Sequence, residues 1–168
     1  MPFGRGRRFR TNNLIVDNIV GDWQLNGIAS FYSGTPFSVS FASDIANTRN
    51  ASGVRLILVG DPHISNPTPS QWFNKAAFAV PAQFTFGNSG RNILRTDGTH
   101  NFDLSVFRSF PIPVREAMRL TFRSEFFNAF NSPIFARPGI DPTVPLFGVV
   151  TSTSNRERIV QLALKLIF

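Results

Sequence analysis

Two histidines, ten carboxylates and seventeen cationic side chains carry the ionisable chemistry of this 168-residue chain, which has no cysteine. His63 falls in a long Pro- and Asn-rich stretch, and His100 falls at the edge of a strand-like run. Without Cys, and without His and Glu spaced along a helix, neither belongs to a recognisable metal site. Both read as solvated histidines. Asp103 and Glu125 have the residue types of a paired-carboxylate site. Arg119 and Arg123 lie among them, so an inward salt-bridge network across neighbouring strands is the stronger expectation. Gly4-Arg5-Gly6-Arg7-Arg8 is glycine-rich but lacks the Lys-Ser/Thr that a phosphate loop needs, and reads better as the end of a strand. Asn50-Ala51-Ser52 fits a glycosylation acceptor, a pattern frequent by chance. No nucleophile-elbow sequence frames any serine. The expectation is no enzyme, no catalytic residue, no metal and no cofactor.

The net charge of +7 comes from 15 Arg and 2 Lys against those carboxylates. Such a balance raises nucleic-acid binding. Apart from Arg5, Arg7, Arg8 and Arg10, however, the arginines are scattered, several on alternating positions inside strand-like runs. That is poor geometry for following a phosphate backbone, so nucleic acid is not expected as a partner. No stretch approaches the ~20 consecutive apolar residues of a spanning helix. Met1 to Arg8 has no apolar core, so no secretory signal is read there.

The elements that carry these residues are strands. Val160, Leu162, Leu164, Leu166 and Phe168 form an every-other-residue apolar row, with Gln161 and Lys165 on the opposite parity. Side chains alternate faces along a strand, so one face is apolar and the other tolerates charge. In the run Ala117 to Phe130, Met118, Leu120, Phe122 and Phe126 share one parity, while Arg119, Thr121, Arg123 and Glu125 share the other. A helical period would scatter those charges around the cylinder. Thr99 to Ile112 opposes Phe102, Leu104 and Val106 to Asn101, Asp103 and Ser105. Asp22 to Phe41 alternates from Trp23 to Phe31, breaks at Ser33-Gly34-Thr35-Pro36, and resumes at Phe37, Val39 and Phe41, as a bulged strand would. Pro2 to Arg10 is a strand stub, and Asn12 to Gly21 a connector with a hint of a helical turn.

The joins alternate in length: about 10 residues (Asn12–Gly21), about 57 (42–98), about 6 (Pro111–Glu116) and about 27 (131–157). Transmembrane barrels pair short periplasmic turns with long extracellular loops. With Phe168 at the periplasmic end, both long joins become extracellular. The apolar parity then meets outer-membrane lipid, and Asp103, Arg119, Arg123, Glu125, Gln161 and Lys165 face the lumen. Trp23, Phe110 and Phe168 fall at one interface, and Phe37, Phe41, Phe126 and Phe130 at the other. Arg108 breaks the pattern, since it shares the parity of Leu104 and Val106; a long Arg near a membrane face can snorkel to head groups. The expected fold is all-β: about four antiparallel transmembrane barrel strands plus a stub. Barrels need about eight strands to close, and an open edge is not viable in hydrocarbon. The chain therefore reads as an incomplete part of a larger barrel. The competing expectation is a soluble β-sandwich or adhesin-like binding module. In the longer loop, Trp72, Phe73, Phe78, Phe84 and Phe86 either contact a ligand or fold the loop onto the barrel rim.

Specific wording supports the barrel. Gly21-Asp22-Trp23-Gln24-Leu25-Asn26-Gly27-Ile28, then Ser33-Gly34-Thr35-Pro36-Phe37, Trp72-Phe73-Asn74 and Phe86-Gly87-Asn88-Ser89-Gly90-Arg91-Asn92 follow one another along the chain. Asn101-Phe102-Asp103-Leu104-Ser105, Phe126-Phe127-Asn128-Ala129-Phe130-Asn131 and Gln161-Leu162-Ala163-Leu164-Lys165 continue the series. Together they resemble the C-terminal barrel segment of a TonB-dependent outer-membrane receptor of the Oar-like type, across almost the whole chain. Lys75 and Arg95-Thr96-Asp97-Gly98 depart from that wording. The resemblance implies a bacterial outer-membrane location and a barrel of about 22 strands. It implies too that the plug, the export signal and the segment engaging TonB lie upstream and are missing here. The row Val160 to Phe168 then serves as an assembly signal read by the barrel-assembly machinery. The implied activity is uptake of a bulky ligand of the siderophore, cobalamin, oligosaccharide or peptide class.

Overall fold

The computed structural model describes residues 21–49, 53–112 and 118–168. The Pro2–Arg10 stub, the connector up to residue 20, the Asn50-Ala51-Ser52 acceptor and most of the turn after Pro111 lie outside the described residues. Along the chain come β1 (Gln24–Tyr32), β2 (Pro36–Phe37), β3 (Ser40–Phe41), β4 (Val54–Arg55) and β5 (Ile57–Leu58). A 3-10 turn (Lys75–Ala77) precedes β6 (Phe78–Ala79), β7 (Leu94–Arg95), β8 (Thr99–Pro111), β9 (Arg119–Phe127) and β10 (Ile159–Ile167). No helix among the described residues is long and apolar enough to cross a membrane, a fact that leaves crossing by strands open.

The described residues divide into two compact units. The first holds residues up to Ser30 with His100–Ser132 and Arg156–Phe168; the second holds Phe31–Thr99 and Pro133–Asn155.

The first unit is one antiparallel sheet of order β1-β8-β9-β10. Leu164 pairs with Phe122, which pairs in turn with Arg108; Val160, Phe126 and Leu104 align in the same way. Gly27 lies against Leu104 and Trp23 beside Arg108, so β1 runs opposite to β8. Because side chains alternate, this register gathers the apolar parity of every strand onto one face. That face carries Leu25, Ala29, Leu104, Val106, Leu120, Phe122, Leu162 and Leu164. The other carries Asn26, Asp103, Ser105, Thr121, Arg123, Glu125, Gln161 and Lys165, interspersed with Ile28, Phe107, Phe127 and Ile167. Strands of nine residues also match the ~9–11 that a tilted strand needs to cross a bilayer.

The apolar parity is half-buried on the inner strands, at Leu104, Val106, Leu120 and Phe122, and exposed along the two edge strands. Leu162 is 68 % and Leu164 66 % exposed, and Leu25 and Phe31 are exposed on β1. A β-sandwich would cover such a row with a second sheet, as its stability requires. The sheet is open, with β1 and β10 as its edges among the described residues. An open antiparallel sheet whose edge strand carries an exposed apolar row is consistent with part of a barrel. Both long connections, from β1 to β8 and from β9 to β10, leave it from the same end.

The second unit corrects two expectations. The stretch after Gly34 does not resume the barrel strand: β2 pairs with β7 and β3 with β4, in two separate small sheets. Gly34 permits the change of course, since a Cβ there would clash with the backbone of Thr96. Phe37 is consequently a buried core residue and Phe41 packs against the same core, so neither joins an aromatic girdle. Nor is the 42–98 stretch structureless. Phe37, Val39, Leu56, Phe73, Ala77, Phe78, Leu94 and Phe147 make a hydrophobic core to which both long connections contribute. Phe73 is at its centre, with ring centroids 5.1 Å from Phe147, 5.6 Å from Phe78 and 6.3 Å from Phe37. Offset and edge-on ring contacts of this kind add to the stabilisation from burial.

Candidate functional site: the two faces of the sheet and an arginine-lined cleft

The polar face of the sheet holds a cavity of about 240 Å³ lined by Asn26, Asp103, Ser105, Arg123 and Glu125 with parts of their neighbours. Arg123 and Glu125, two residues apart on β9 and so on one face, form an ion pair of 2.7 Å. Asp103 is engaged elsewhere: its Oδ1 accepts from Asn101 Nδ2 and from the backbone N–H of Asn128, both at 2.9 Å. The expected network joining Asp103 to Arg119 and Arg123 across strands is therefore not formed. Gln161 lies opposite Glu125, which lies opposite Ser105; Lys165 lies opposite Thr121. Thr121 Oγ1 and Ser109 Oγ share a hydrogen bond of 2.9 Å across the β8–β9 pair. Arg119 pairs in register with Pro111 and Ile167. Among the described residues the arrangement spreads donors and acceptors along the face, with no converging acid–base pair.

On the apolar face Arg108 is 5 % exposed. Its guanidinium lies 4.5 Å from the Phe110 ring centroid and 6.0 Å from that of Trp23. These distances are those of cation–π contact. Nε and Nη1 have no hydrogen-bond partner. The arginine thus shelters under aromatics instead of extending outward.

The family model for the outer membrane beta barrel domain matches residues 1–161. The chain belongs to that family. No curated protein and no solved structure matches it. Membership accounts for the sheet: an outer-membrane β-barrel protein of the bacterial envelope turns an apolar face to lipid and a polar face inward. The terminal row Val160, Leu162, Leu164, Leu166 is the exposed apolar parity of β10, continued by the exposed Phe168.

In this outer-membrane barrel chain the expected ligand-contacting aromatics separate into two groups. Phe73 (1 % exposed) and Phe78 are core residues of the second unit, which corrects their reading as ligand contacts. Trp72 is half-buried: its indole N–H donates to the carbonyl of Arg95 at 2.9 Å, and its ring meets Phe135 edge-on. Phe84 and Phe86 are exposed. His63 stays at the surface but is tied down, its ring nitrogens 2.9 Å from Asp61 Oδ1 and 3.1 Å from the carbonyl of Ile93. The backbone N–H of His63, and next its ring, hold the Asp61 carboxyl below its usual range. Among the described residues no three His, Asp or Glu side chains gather as a metal site would require.

One feature escaped the sequence. An open cleft of about 450 Å³ in the second unit is lined by residues from 38–40, 48, 53–55 and 86–91, including Arg55, Arg91 and Phe86. Its parts lie far apart in the chain and follow no motif. The unexplained pair Arg55 and Arg91, inside otherwise apolar or neutral wording, was the only available signal.

Proposed function

We propose that this chain is the C-terminal barrel portion of a TonB-dependent outer-membrane transporter, not an enzyme, that takes up a bulky nutrient. The observation behind this reading is the shared register of β1, β8, β9 and β10. It gives one continuous apolar face and one polar face, while both long connections leave from one end. On this reading the long connections are extracellular, the short joins periplasmic, and Asp103, Arg123, Glu125, Gln161 and Lys165 line the lumen. The family's barrel architecture and the order of motifs from Trp23 to Lys165 support it. The remaining strands, the plug and the segment that engages TonB belong to sequence upstream, and the barrel-assembly machinery would recognise the row ending at Phe168.

The test is genetic and has a definite readout. In the source cell, deleting the reading frame that encodes this chain, and separately deleting TonB, should abolish uptake of the same labelled compound from a panel of siderophores, cobalamins, oligosaccharides and peptides. Uptake that depends on the reading frame but not on TonB would replace the transporter by a passive porin. No uptake phenotype, with adhesion lost instead, would favour an adhesin-like role.

A further inference from the structure

We propose that the cleft between the β3–β4 hairpin and the 86–91 segment binds a small organic anion, an oxyanion attached to a flat ring. The inference deepens the transporter reading and rests on it, by naming the ligand class that an outer loop unit would hold. At about 450 Å³ the cleft falls within the ~300–1,000 Å³ of small-molecule sites. Two arginines, Arg55 and Arg91, are among its lining residues, and no Asp or Glu is. Arg55 is oriented from behind, since its Nη1 donates to the carbonyl of Ser89 at 2.9 Å. Its other N–H groups, and all those of Arg91, make no hydrogen bond or ion pair among the described residues. Two like charges lining one cleft without a counter-charge create a positive field that an anion relieves. The guanidinium fork matches carboxylate and phosphate oxygens in pairs.

The ring requirement comes from Phe86, 71 % exposed and lining the same cleft. Its position relative to Arg55 is fixed by the next residue. A Cβ at Gly87 would clash with the carbonyl oxygens of Arg55 and Leu56, so the two backbones lie directly against each other. The N–H of Ser89 donates to the Leu56 carbonyl at 2.9 Å, and Asn88 Oδ1 accepts from the Leu58 N–H at 2.7 Å. The backbone segments that carry Phe86 and Arg55 are thus held against each other along one hydrogen-bonded seam. Exposed aromatic surface of this kind gains by stacking on a flat ligand.

Calorimetric titration of the full chain in neutral-detergent micelles tests the proposal, with benzoate, phenyl phosphate, acetate and benzyl alcohol as probes. Benzoate or phenyl phosphate should bind saturably, the tighter of the two naming the oxyanion as carboxylate or phosphate. Benzyl alcohol, with a ring and no charge, and acetate, with charge and no ring, should each bind at least tenfold more weakly. R55Q and R91Q should each weaken the ringed anions about tenfold, and F86A should weaken them while leaving acetate unchanged. Arg91 and Phe86 are surface residues, so R91Q and F86A keep the test valid even where R55Q disturbs the seam. Equal binding of benzyl alcohol, unchanged affinity in R91Q, or no saturable binding to the parent chain would overturn the site. TonB-dependent uptake without benzoate or phenyl phosphate binding removes the cleft proposal alone. Binding as expected in a chain whose uptake ignores TonB removes the transporter reading alone.

Discussion

The backbone N–H of Asn128 donates to Asp103 Oδ1 at 2.9 Å, fastening the turn that ends β9 to the neighbouring strand β8. The Asn128 side chain completes the fastening. Its Oδ1 accepts from the N–H of Ser132, and its Nδ2 donates to the carbonyls of Ser132 and Arg156. Through its backbone N–H and its side-chain amide, Asn128 therefore joins β8, the turn after β9, and the chain approaching β10. Asn128 also adopts a positive φ of 49°, which Asn tolerates better than most residues.

Asn128→Ala should accordingly destabilise the sheet by about 2–3 kcal/mol, because buried partners lose their hydrogen bonds and the backbone is strained. Asn128→Gly relieves the strain alone and should recover only a minor part. Urea unfolding of the full chain in micelles checks both variants. Equal stability of Asn128→Gly and the parent would mean that the side-chain bonds contribute nothing.

The second unit makes a different prediction. Phe73→Ala should cost about 3–5 kcal/mol, the usual range for emptying a Phe site in a core. Phe86→Ala, at a bare surface position, should stay within about 0.5 kcal/mol. Hydrogen exchange localises the effect. Faster exchange in Phe73→Ala belongs at the Val59 and Trp72 amides, which bond to Ala77 and Gly148 within that unit. Slow exchange persisting there would remove Phe73 from the centre of the core.

Acid should loosen the second unit through two aspartates. Asp141 is held below its ordinary pKa of 3.8, first by the Thr143 hydroxyl and then by the Thr143 backbone, with the Ala42 N–H adding to the effect. Asp61 is held down in the same direction by His63. A carboxyl whose folded pKa is depressed contributes stability that is fully present above its unfolded pKa, and that is lost as pH falls through the folded value. The turns around Ala42, His63 and Thr143 should therefore be intact at pH 5 and loosen only at pH below about 3.8. Amide chemical shifts followed from pH 6 to 2 would record this, and Asp141→Asn should abolish the change at Ala42 and Thr143 while leaving the change that Asp61 causes at the His63 amide.

Legibility differed sharply between the two units for a physical reason. In β8, β9 and β10 the alternation of Leu104, Phe122, Phe126 and Leu164 with Asp103, Arg123 and Gln161 is a local consequence of strand geometry, visible in a few consecutive residues. The existence of these three strands and their shared face followed from it, while the first strand ends at Tyr32 and not at the expected Phe41. Phe37 and Phe41 carry the same alternation, yet they pair with Leu94 and Val54, and only distant partners decide which sheet they join. Phe73 and Phe78 look identical in sequence to Phe84 and Phe86. What separates them is the three-dimensional closure of the core around Leu56 and Phe147, to which local pattern is blind. The Arg55–Arg91 cleft was hidden for the same reason.

Arg108 provides the last prediction, because two opposing terms meet in one side chain. Its contacts with Phe110 and Trp23 contribute about 0.5–2 kcal/mol. Against this, Nε and Nη1 are buried without partners, and unsatisfied buried donors cost about 1–3 kcal/mol, more when charged. The cost outweighs the gain, so Arg108→Met, which keeps a long apolar stem beside the same rings, should raise the urea midpoint in neutral-detergent micelles. Arg108→Lys keeps a charge but loses the planar stacking of the guanidinium, and should lower it. In vesicles containing anionic phospholipid, head-group phosphates can supply the missing acceptors where the arginine snorkels to the surface. The advantage of Arg108→Met should then shrink as the anionic fraction rises. A Met variant that is less stable than the parent in both media would mean that the cation–π contacts outweigh the unpaired donors.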